Sequence, residues 1–86
     1  MDRLHEFYAV SQLENKEFLL LFGKNLRRLR KSKGFTQEEL AFSIGIEISQ
    51  ISRIERGIIN TSIGTVYQIS NALKINLEEF FNFVTN

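Results

Sequence analysis

Between Ile48 and Arg56, leaving Glu55 aside, five side chains that can form hydrogen bonds surround two isoleucines. They are Ser49, Gln50, Ser52, Arg53 and Arg56. On a helix the spacing sends Ile51 and Ile54 inward and leaves the polar five outside. Hydroxyls, an amide and guanidinium groups are the parts of recognition, since each donates or accepts hydrogen bonds in a fixed geometry. The plain reading of such a face is solvated surface. The other reading is a surface built to touch something.

Bond-making chemistry finds little support. His5 is the single histidine and there is no cysteine. Neither a nucleophile motif, nor a phosphate loop, nor a metal-spaced ligand set is present. The chain is not expected to be an enzyme, and no cofactor or metal is expected. Without cysteine, a disulfide scaffold and a thiolate metal site are both excluded.

Charge points to a partner. Eight cations and four carboxylates lie between Lys24 and Arg56, which leaves +4 there; the remainder carries −3, for a total of +1. A basic middle with acidic ends suits a local patch for a polyanion, although a solvated helix face has the same composition. The 86 residues, 43% of them hydrophobic, fit one small domain whose limited core makes a partner subunit a reasonable expectation. Asp2, His5 and Glu6 interrupt the N-terminus where a secretory signal would be apolar, so a cytoplasmic location is expected. The longest apolar run, Phe18 to Phe22, is far short of the roughly 20 residues of a membrane span.

Helices must position the polar set, because apolar residues recur at offsets of three and four. Phe18, Leu19, Phe22, Leu26 and Leu29 make one stripe over 16–33, with Gly34 as its stop. Thr36 and Glu39 form a capping box that opens a helix of about eight residues, with Leu40, Ala41 and Ile44 inward and Gly45 at its end. The third helix spans Ile48 to Arg56, with Glu47 at the cap position. Ser62 caps a fourth through Lys74, with Val66, Ile69, Ala72 and Leu73 buried. Asn76 and Glu79 form a second capping box before a short fifth helix holding Leu77, Phe80 and Phe81. Residues 1–15 read as a loosely helical extension and 16–86 as the domain.

Two short helices joined by a tight turn at Gly45 make a helix-turn-helix layout. B-DNA's major groove admits one α-helix, and a preceding helix braces it there. Phe22 to Phe81, about 60 of the 86 residues, resembles the Cro/CI-type helix-turn-helix family, the xenobiotic-response-element family of bacterial and phage repressors. The resemblance rests on "LRRLRKSKGFTQEELA", "IG", "ISRIERG" and "SNALKINLEEFF", in order and at the right spacing. It implies an all-α compact bundle of about five helices, of the lambda-repressor-like DNA-binding type. It also implies sequence-specific operator binding, usually as a two-fold dimer.

The resemblance assigns roles. Thr36 and Gln37 begin the bracing helix, where Gln37 is similar to a glutamine that bonds a backbone phosphate and buttresses a base-reading side chain. Ser49, Ser52 and Arg53 occupy base-reading positions; a guanidinium can grip guanine O6 and N7 together. Gln50 lies beside them and can face a phosphate. Arg56, Asn60 and Thr61 fall where the family contacts phosphates. Arg30 and Glu55 look like the family's internal ion pair.

Glu47 and Ile48 depart from the pattern, since a good capping residue and a polar residue are usual there. Phe80, Phe81, Phe83 and Val84 are too apolar for an exposed tail, so some belong to the core and the others form a dimer surface. The expected function is transcription regulation at a palindromic operator in double-stranded DNA, by a homodimer with 48–56 as its reading helix. The alternative is a module that binds mainly protein, such as a toxin-neutralising antitoxin component. No membrane contact or small-molecule ligand is expected.

Overall fold

A computed structural model describes residues 14–83. The expected N-terminal helical extension (1–13 of 1–15) and Val84 lie outside that range. Four α-helices follow in order, α1 Asn15–Ser32, α2 Gln37–Ile44, α3 Ile48–Glu55 and α4 Ile63–Leu73, and a 3-10 helix Leu77–Phe81 ends the bundle. No described helix is long and apolar enough to cross a membrane.

Local chemistry explains most boundaries. Glu39 N–H donates to Thr36 Oγ1 at 3.0 Å, and Thr36 N–H donates to Glu39 Oε1 at 2.9 Å. The capping box therefore exists in both halves and starts α2. Gly45 ends α2 at φ +74°, a left-handed conformation that costs a glycine little. Ser62 Oγ accepts from Thr65 N–H at 3.0 Å and starts α4. Lys74 ends α4 with φ +56°, which makes it the only non-glycine of positive φ among the described residues. Arg56, expected inside the third helix, is its C-terminal cap.

The fifth helix is 3-10 rather than α. Asn76 N–H donates to Glu79 Oε2 at 3.0 Å, so the carboxylate half of the expected box is present, while Glu79 N–H goes to the backbone carbonyl of Asn76. Two of the helix's carbonyls, those of Glu79 and Phe80, accept from the Asn25 side chain at 2.7 and 2.9 Å. Those bonds help satisfy carbonyls at the C-terminal end of the segment, and 3-10 winding is used in short pieces of this kind.

The core joins all five elements: Phe22, Leu26 and Leu29 from α1, Leu40 and Ala41 from α2, Ile51 and Ile54 from α3, Val66, Ile69 and Leu73 from α4, and Phe80. Phe80 is 0% exposed and packs on Phe22, with ring centroids 6.0 Å apart. It was expected at a dimer surface, but burial inside its own chain leaves it nothing to offer a partner. Phe81, 46% exposed, stacks on Phe18 with centroids 6.2 Å apart, and half-buried Phe83 meets Phe18 edge-on at 5.7 Å.

Candidate nucleic-acid interface

Helix α3 is two-faced. Ile51 and Ile54 are buried, whereas Gln50 and Arg53 are exposed and Ser49 and Ser52 are half-buried. Ser49, Gln50 and Arg53 line one shallow, open concavity together with Gly45, Ile46 and Glu47. Three of the expected contact residues therefore converge on one surface, at the turn and the first turns of α3. Ser52 shares the helical face of Ser49 and Arg53 by spacing.

The far end of α3 is anchored. Arg30 Nε and Nη2 donate to Glu55 Oε2 and Oε1 at 2.6 and 3.0 Å, and Arg30 Nη1 donates to the Phe35 carbonyl at 2.8 Å. Both side chains are buried. A bidentate pair of this kind fixes orientation as well as distance. Gln37 Nε2 donates to the same Glu55 Oε1 at 3.0 Å. The start of α2 is thereby tied to the last residue of α3, and the N–H assignment of the Gln37 amide follows from its carboxylate partner.

Thr36 is exposed and spends its hydroxyl on the cap. Arg56 is exposed, with Nε near the Ser52 carbonyl at 3.4 Å. Asn60 is exposed and Thr61 half-buried on the loop before α4. None of these four lines the concavity. The hydrogen bond from the Thr36 backbone N–H, then the bond involving the Thr36 hydroxyl, hold the Glu39 carboxyl below the usual range.

Two supporting residues escaped the sequence reading. Gly23 faces the end of α3, where an added Cβ would stand 2.5 Å from the carbonyl oxygens of Ile54 and Glu55. Buried Asn25 ties α1 to the 3-10 helix and accepts from Arg28 Nη2 at 2.7 Å through its Oδ1. A polar residue between Phe22 and Leu26 on the inward side of α1 was the available signal.

The helix-turn-helix family model matches residues 26–80. The chain belongs to that family, of Cro/CI type. It is 40% identical over 67 residues to the Control protein C.BamHI of Bacillus amyloliquefaciens, across 77% of this chain and 83% of that one. It is 31% identical over 77 residues to Antitoxin HipB of Escherichia coli O6:H1, across 90% of this chain and 72% of that one. Among solved structures, the restriction-modification controller protein C.AhdI from Aeromonas hydrophila superposes with a TM-score of 0.71 at 41% identity, covering 73% of this chain and 96% of that one.

Proposed function

We propose that this family member is a sequence-specific DNA-binding transcription regulator that lays α3 in the major groove. The observation that carries the reading is the shared concavity of Ser49, Gln50 and Arg53, on a helix whose opposite face is buried. A helix held this way presents side chains at the depth where base edges carry a readable donor and acceptor code. Exposed Lys24, Arg27 and Lys31 on α1 add positive field without needing to touch DNA.

The regulator acts as a homodimer in the cytoplasm on a palindromic operator, each subunit reading one half-site. Phe81 and Phe83 supply the apolar surface for the two-fold contact. Half-sites centred about one helical turn apart, or a multiple of it, satisfy the geometry of two reading helices. The likeness to two proteins named as controllers favours a place beside restriction-modification genes. The likeness to an antitoxin supports a second reading, a module that grips a protein partner.

An electrophoretic shift with random and genomic fragments tests the choice. Retardation at low salt that weakens steeply as counterions are added supports DNA binding. No retardation of any fragment at low salt sinks it and leaves the protein-binding module.

A further inference from the structure

We propose that Glu47 is a specificity residue whose carboxylate accepts the N4 amino group of cytosine in the major groove. The inference rests on the DNA-reading role of α3. Glu47 stands at the N-terminal cap position of α3, yet its side chain makes no capping hydrogen bond. At the equivalent positions of α2 and α4, Thr36 and Ser62 do cap. Among the described residues Glu47 has no ion-pair partner, the salt bridge there joining Arg30 and Glu55. Its exposed side chain instead lines the same concavity as Ser49, Gln50 and Arg53.

A carboxylate in that place is a liability unless it has a purpose. It repels phosphate at every sequence, so it weakens binding to all DNA alike. On base edges, an ionised carboxylate only accepts. Guanine N7 and O6 and thymine O4 are acceptors and repel it, and adenine pairs its amino donor with the acceptor N7. Cytosine offers an N4–H donor whose own ring places only C5–H beside it, the neighbouring acceptor being O6 of the paired guanine. Glu47 therefore discriminates by penalty: guanine and thymine leave a desolvated carboxylate unpaired, adenine sets an acceptor on its own ring beside the donor, and cytosine satisfies the carboxylate best. Arg53, an obligate donor, has the opposite preference for guanine. The two charges on one concavity give the reading surface a polarity that a neutral helix face lacks.

The test is selection from a random duplex library with the full chain, in wild-type, Glu47→Gln and Glu47→Ala forms, each checked for an unchanged thermal transition. Wild type is expected to enrich cytosine at one position of each half-site. Glu47→Gln, which can also donate, is expected to admit adenine there, and Glu47→Ala to lose the preference by roughly tenfold or more. Preferences elsewhere in the half-site stay, and affinity for unrelated DNA rises in both variants. The same selected sequence for all three proteins overturns the Glu47 assignment and leaves DNA reading intact. Absence of any enriched sequence with wild type overturns both.

Discussion

Gln37 and Glu55, eighteen residues apart in sequence, are joined by a 3.0 Å hydrogen bond from the Gln37 amide to a carboxylate already held by Arg30. One carboxylate thus serves the ion pair that anchors α3 and orients the residue that opens α2. Two kinds of damage follow. Gln37→Ala is expected to weaken binding to all DNA sequences about equally and, by taking one donor from the buried Glu55 carboxylate, to cost about 1 kcal/mol of stability. Arg30→Ala leaves Glu55 buried without its cation and is expected to cost about 3–5 kcal/mol of stability. Denaturant unfolding beside DNA titration measures both; a Gln37→Ala defect confined to one operator sequence would contradict the phosphate role.

Arg53 is exposed on the concavity with no hydrogen bond to another described residue holding it. Arg53→Ala is expected to relax sequence preference at one base pair, by about 1–3 kcal/mol of lost discrimination. Competition between the selected operator and single-base variants measures it. Equal loss on every variant would make Arg53 a phosphate contact.

Gly23 is where the backbones of α1 and α3 meet. A Cβ there would stand 2.5 Å from two carbonyl oxygens of α3, and neither is the free end of a flexible side chain. Gly23→Ala is expected to destabilise by about 1–3 kcal/mol despite alanine's better helix propensity, because the helices must separate. Thermal unfolding is the measurement, and a stabilised variant would refute the close approach.

Dimerisation is assigned to the outward aromatics. Phe81→Ser is expected to shift sedimentation at tens of micromolar from dimer toward monomer and to weaken operator binding more than binding to an isolated half-site. Phe80 makes a poor probe, since it is fully buried and its truncation is expected to cost about 3–5 kcal/mol of stability. A wild-type chain that sediments as a monomer at that concentration removes the assignment.

Glu39 supplies a pH dependence whose sign is fixed by its partners. Hydrogen bonds from Thr36 lower its folded-state pKa below the ordinary 4.5. Its contribution is therefore fully present above the unfolded value and is lost as pH falls through the folded one. Glu39→Ala is expected to lower the melting temperature at neutral pH, with the gap to wild type narrowing at pH values well below 4.5. Melting curves across that window check it; a constant gap would remove Glu39 from the capping box.

By itself the sequence determined what short-range rules govern. Helical spacing placed Leu26, Leu29, Ile51 and Ile54 inward, and Thr36 with Glu39 announced the start of α2. The ordered motifs from Leu26 to Phe81 identified the family. Each of these depends on residues three or four apart, or on a pattern carried along the chain.

Tertiary structure alone decided the rest. Nothing near Gln37 in sequence indicates Glu55 as its partner, and nothing near Gly23 indicates the α3 carbonyls. Asn25 reaches Glu79 and Phe80 across more than fifty residues and so ties the last helix to α1. Packing also divided the aromatic tail, sending Phe80 inward and leaving Phe81 half outside. These outcomes depend on which backbones approach and which polar groups find partners when water is excluded, and a burial decision made between distant segments leaves no periodic trace in either one.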